Sequence, residues 1–306
     1  MSSQTRKVIF FIFKIINNKI LFLFWLSVRF ISAILPLITI YLFSLVIRHL
    51  ENHEPLSKIL LVAGILFLNR ILDNFLRLKS ITKLEHCIND IVFDIHELFL
   101  SDLKTKSRDE RHAIVQAIRN FADATSVTLN NLKQPGIDSL VSFLFIPAIL
   151  LFIDARVFVL TMASILIYYS IDHYTTQHYS RLKNNLNTKT ENYYAKLQDS
   201  NDFDLEKKAY NRHFERLTLW GFTEWFALQN TAVFFHSLIL IYLIYTVING
   251  QKEISDLVLI MGYVIETQVL LNSFSSIKDA LADMFVGLEH LAKNNDISVI
   301  DIDDLI

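Results

Sequence analysis

Breaks are what this sequence lacks. Its 306 residues hold only 6 Gly and 4 Pro, and long apolar runs fill the space between them. A membrane-crossing helix takes about 20 mostly apolar residues. Six runs fall on that scale, at 20–48, 58–79, 134–153, 156–170, 228–248 and 256–276. Few breakers and long runs call for long helices, not a sheet. The mean hydropathy is +0.36, and 24 Phe suit a lipid-facing surface. The fold expected is an all-α membrane protein of six long transmembrane helices. The first run is too long for a signal peptide and lacks an A-x-A cleavage site, so it reads as a retained span. Pro36 inside it is tolerable in a membrane helix, as a kink.

The connections are uneven. Those at 49–57, 154–155 and 249–255 are short, whereas those at 80–133 and 171–227 are long. Both long pieces are charged yet keep a helical period. In the first, Leu84, Ile88, Ile91, Phe93, Ile95, Leu98 and Phe99 recur at a spacing of roughly three to four. Spans two to five are therefore expected to run well past the bilayer as two helical hairpins on one side. Seven Lys and Arg lie in 80–133 and eight in 171–227, whereas the short loops and their rims hold Arg48, Lys58, Arg156 and Lys252. The positive-inside rule puts both long connections and both termini in the cytoplasm, across the inner membrane. Residues 1–19, with basic residues beside Phe and Ile, read either as an amphipathic helix on the inner surface or as the start of span one. The acidic tail, 294–306, reads as a solvated end. A net charge of -2 gives no electrostatic footprint for nucleic acid. The single Cys87 excludes an intrachain disulfide.

This arrangement resembles the six-helix transmembrane domain of exporter-type (type IV) ABC transporters, over residues 20–293. ISAILPLITIYLFSLVIRHLEN resembles the family's first helix. LNRILDNFLRLKSITKLEHCINDIVFDIHELFLSDL resembles its second helix running down to the first coupling helix. INGQKEISDLVLIMGYV and FSSIKDALADMFVGLEHL resemble the outer turn and the inner end of helix six. The resemblance implies a domain-swapped dimer, here a homodimer, that exports a small organic or amphipathic solute. It also implies cytoplasmic turns that dock an ATPase: Arg108, Asp109 and Glu110 in the first, Asp202 and Asp204 in the second. Neither turn carries the glycine the family often has there. No GxxxxGK[ST] loop or LSGGQ-like signature occurs, so no backbone cradle for phosphates is expected in this chain. ATP would act through a separate subunit. The other drive considered is protons, and a non-transporting regulatory or assembly subunit is the third reading.

No enzyme signature is present: there is neither HExxH nor GxSxG, and no catalytic residue or metal site is expected. His173 and His178, five apart, are about 140° apart on a helix and converge poorly on a metal. Charge inside the spans is more informative. Arg70, Asp73, Asn74 and Arg77 share one face of span two. They form either a self-neutralising packing stripe or the lining of a cavity for an anionic group. Span six bears Gly262, Glu266, Val269, Ser273, Ser276, Ala280, Asp283 and Gly287 on one small, polar face. That face serves close helix approach or a water-filled cavity. Glu266 lies about 16 Å below Ser255, near the depth of Arg70, and needs a cation or a proton. His236 in span five, at similar depth, is the other membrane group able to titrate near neutrality. It reads more readily as a packing residue. The candidate substrate or proton pathway is thus Glu266, Arg70, Asp73, Arg77, His236 and Ser273. Arg29 is expected to snorkel toward the inner interface, and Asp138, at the inner entry of span three, reads as a gate charge or, more readily, as a helix-start residue.

Overall fold

The computed structural model describes residues 13, 16, 18–100, 108–199 and 204–294. Seven α-helices and one π-turn account for nearly all of them: α1 (Lys19–Glu51), α2 (Leu56–Leu100), α3 (Arg108–Asn131), the π-turn (Leu132–Gly136), α4 (Ile137–Ile153), α5 (Ala155–Asp199), α6 (Asp204–Ile248) and α7 (Ile254–Asn294). There is no strand among the described residues. The segment before Asn18 and the tail after Asn294, both singled out in the sequence, lie almost wholly outside them.

Among the described residues, five helices are long and apolar enough to cross a membrane: Lys19–Glu51, Leu56–Phe99, Ala117–Ile153, Ala155–Thr175 and Lys207–Ile248. The sixth expected span lies on α7, several of whose side chains fall outside the description. The chain is an all-helical protein of multi-pass membrane type. Three helices, α2, α5 and α6, have 45 residues each, or about 68 Å at 1.5 Å per residue. A bilayer core is about 30 Å thick, so each extends well beyond it, as the periodicity of the long connections indicates.

The chain divides into two compact units, residues 1–146 with 253–306, and residues 147–252. In the first unit, α1 packs on α2 and α7, and α3 on α2 and α7. The surface of α2 changes character along its length. Leu56, Leu60, Leu61, Ile65, Phe67, Leu68, Ile71, Leu72, Phe75 and Leu78 are exposed. Beyond Leu78, Leu84, Ile88, Ile91 and Ile95 are all almost fully buried against Ile114, Ile118, Phe121 and Ala122 of α3 and Met284 and Leu288 of α7. The spacing of four, three and four is a coiled-coil seam. Below the apolar band the protein thus has a water-type core. Phe93, which the sequence placed on this face, is 69% exposed. It sits two residues from both Ile91 and Ile95, and a residue two places away points off the seam.

The second unit is the end of α4, from Pro147, followed by the antiparallel hairpin of α5 and α6. Asp154 organises its connection. The carboxylate accepts hydrogen bonds from the backbone N–H of Arg156 (2.9 Å) and Val157 (3.3 Å), capping α5. It also accepts from the Tyr242 hydroxyl (3.2 Å) and pairs with Lys252 (3.2 Å).

Candidate functional site: a charged cluster in the four-helix unit

The cluster begins with an irregularity in the backbone. Pro135 has no N–H to give to the carbonyl four residues back, and the chain widens there into the π-turn. Gly136 lets α7 close on this turn. A Cβ at that position would sit 3.1 Å from the Asn131 carbonyl oxygen and 3.2 Å from Ile277 Cδ1. The carbonyls of Lys133 and Gln134 are turned toward α1, where Arg29 meets them.

Arg29 is completely buried. Its Nε donates to the Lys133 carbonyl (3.0 Å) and its Nη2 to that of Gln134 (3.3 Å). Nη2 also lies 2.6 Å from each Asp138 carboxylate oxygen, and Nη1 donates to Ser32 Oγ at 2.9 Å. A buried arginine demands such partners. The snorkelling expected of Arg29 is therefore overturned: the polar atoms of the π-turn offer its guanidinium more than the interface would. Asp138 does lie in the first turn of α4, but it is also an ion-pair partner of two arginines.

The second of these is Arg77, whose Nη1 lies 3.2 Å from Asp138 Oδ2. Arg77 also approaches Asp73 (3.5 Å), as does Arg70 (3.3 Å). The stripe read from α2 thus exists as an Arg–Asp–Arg array, and Asp138 extends it to α4 and α1. Asp73 is buried, whereas the Arg70 side chain is 55% exposed and that of Arg77 28%. Lys133 of the π-turn is paired separately, with Glu85.

Glu266 of α7 is half-buried. The charges acting on it are those of Asp138, Arg77 and Arg70. Among the described residues, none makes a hydrogen bond or ion pair with its carboxylate. Counted from the Leu56, Ile153 and Ile254 helix ends, Arg70, Asp138 and Glu266 lie about 21, 23 and 18 Å along their helices. The carboxylate and the arginine face of α2 are therefore at one level.

The small face of α7 divides between two uses. A Cβ on Gly262 would come within 2.5 Å of Ile40 Cγ2, so this glycine lets α7 approach α1 closely. The Ala280 carbonyl accepts from Thr128 of α3 at 2.9 Å. Ser273 is half-buried and donates to the Val269 carbonyl of its own helix (2.8 Å). Glu266 and Asp283 are the charged members of this face. Near the proline of α1, Asn69 Nδ2 donates to the Leu35 carbonyl (3.0 Å) and the Tyr263 hydroxyl to that of Leu37 (3.3 Å).

His236 belongs to α6, in the second compact unit. His173 stacks on Tyr169 and His178 tilts against Trp220, with centroids 6.2 and 4.3 Å apart. Among the described residues, no three His, Cys, Asp or Glu gather as metal ligands do. Arg108, Asp109 and Glu110 begin α3, and Asp204 begins α6. The side chains of these four and all of Asp202 lie outside the described residues.

Arg29 and Asp138 are the members that sequence reasoning left out of the site. The signal available was a lone arginine in an apolar run and an aspartate three residues past a proline. Compared with known proteins, the chain matches no family model and no curated protein.

Proposed function

We propose that the chain is the transmembrane subunit of an exporter-like transporter, working as a homodimer to move an organic or amphipathic solute across the inner membrane. The observation that carries this reading is the cluster of Arg29, Arg70, Asp73, Arg77, Asp138 and Glu266 on membrane-length helices. Ionisable groups at such depth are costly, and they occur where helices line a water-accessible path or a binding cavity. The partial exposure of Arg70 and Arg77 supports that side of the choice. The hairpin of α5 and α6, compact in itself, suits the exchanged element of a domain-swapped dimer.

A separate ATPase, docked on the cytoplasmic turns at 104–112 and 199–208, is the first energy source proposed. A proton drive through Glu266 is the second reading, favoured by a carboxylate set among Asp138, Arg77 and Arg70. The full chain reconstituted in liposomes tests both. Solute flux that needs a co-purifying ATPase, and that is lost when 104–112 or 199–208 is altered, supports the first. Flux driven by a proton gradient without ATP, abolished in Glu266→Gln, supports the second. A chain that moves no solute under either drive but retains another membrane protein is a regulatory or assembly subunit, and the transport reading falls.

A further inference from the structure

The charges of the cluster do not balance without Glu266. Arg29, Arg70 and Arg77 bring three guanidinium groups, which cannot lose their charge in a protein. Asp73 and Asp138 answer two of them by direct contact. Glu266 supplies the third negative charge only from a distance, through the fields of Arg70, Arg77 and Asp138. It is a counter-ion that has not been fixed in place. The excess positive charge falls on Arg70, which is exposed, and Arg77, which is partly so, whereas Arg29 is sealed by five polar contacts.

We propose that Arg70 and Arg77 bind the anionic headgroup of an amphipathic solute, and that the anion enters as Glu266 takes up a proton from water. The inference rests on the transport reading above and names its solute class. The reasoning is electrostatic. An anion added while Glu266 is ionised leaves one uncompensated negative charge at membrane depth, which is expensive. A proton on Glu266 keeps the cluster neutral with the anion in place. Guanidinium groups are suited to carboxylate, sulfonate or phosphate oxygens because their donors lie in one planar fork. The exposed Phe67, three residues before Arg70 on α2, offers an apolar surface to the solute's chain. Of the other charged groups on packed elements, Lys133 is paired with Glu85 and Arg119 of α3 with Asp123, whereas Lys79 and Lys83 of α2 are exposed, the Lys79 ammonium 5.9 Å from the centroid of the Phe75 ring. Asp283, on α7 itself, lies more than four turns from Glu266.

The test is calorimetric titration of the full chain, in nanodiscs of zwitterionic phosphatidylcholine, with decane-1-sulfonate. This probe is ionised at every pH used, so any proton taken up belongs to the protein. Titration in buffers of different ionisation enthalpy reads the proton count, and empty discs give the background. The expected result is saturable binding with close to one proton taken up per sulfonate, weakening as pH rises. Arg77→Gln should bind at least about tenfold more weakly. Arg70→Gln, at an exposed position, should do likewise and serves if Arg77→Gln does not fold. Glu266→Gln should bind without proton uptake and with little dependence on pH. Unchanged affinity in both arginine variants overturns the inference, as does proton uptake persisting in Glu266→Gln. Competition by decyltrimethylammonium, a cation of the same chain length, overturns it too. Proton-linked binding without solute flux in liposomes would leave this site standing and remove the transport reading. Flux without proton-linked binding would do the reverse.

Discussion

At the scale of single residues, Arg29 is the side chain on which most depends. It ties α1 to the π-turn and to α4, and its removal leaves the partly buried Asp138 with only Arg77 as an ion-pair partner and two carbonyls of the π-turn without their donor. Breaking a buried pair from one side costs roughly 3–5 kcal/mol. Arg29→Leu should therefore lower the thermal unfolding midpoint in detergent sharply, and Arg29→Leu with Asp138→Leu should recover part of the loss. Arg29→Lys should fall between, because an ammonium cannot reproduce the planar fork that serves two carbonyls and a carboxylate. An Arg29→Leu chain as stable as the wild type would refute the structural role given to this arginine. None of this partnership was legible in the sequence. Arg29 and Asp138 are 109 positions apart, and no local period links them. The stripe on α2 was legible, because residues three and four apart on a helix must be neighbours.

At the scale of elements, two contacts set how helices meet. Gly262 allows α7 onto α1, and a side chain there would collide with Ile40. Gly262→Val should destabilise the chain by about 1–3 kcal/mol, and Ile40→Ala in the same chain should restore much of it. Equal unfolding midpoints for the wild type and Gly262→Val would contradict this close approach. The hairpin connection carries its own pH dependence. Burial pushes the Asp154 carboxyl up, but the Lys252 ammonium and the N–H groups of Val157 and Arg156 outweigh it and hold the group below its ordinary range. A carboxyl whose folded value is lowered stabilises the fold above its unfolded pKa, about 3.9, and loses that contribution as pH falls through the folded value. Wild-type stability should drop on acidification below about pH 4, and Asp154→Asn should flatten that part of the profile. The long helices themselves were readable from apolar runs and scarce breakers. Phe93 was misassigned because a run rich in apolar residues fits several three-to-four spacings at once. Only the packing of α3 and α7 on α2 selects Leu84, Ile88, Ile91 and Ile95.

At the scale of the whole molecule, the dimer is the part of the proposal most directly measured. Native mass spectrometry of the detergent-solubilised chain should show an assembly of twice the 35.6 kDa chain. A monomer at all concentrations would remove the shared pathway from the proposal. The hairpin of spans four and five was read from the sequence, but that it forms a compact unit of its own was not, because six spans differ little in character. The places where backbone regularity fails also have a mechanical meaning. Between Gly64 and Pro135 the sequence contains no glycine and no proline, and α2 and α3 are joined along a close-packed seam. Packed in this way, α2 and α3 act as a stiff lever, with its compliance at the π-turn end. Over the roughly 35 Å that α2 continues past the apolar band, a tilt of about 10° moves the far end by about 6 Å. A ~10° tilt about the π-turn end would thus be read at the far end of α2 as a displacement larger than a helix turn.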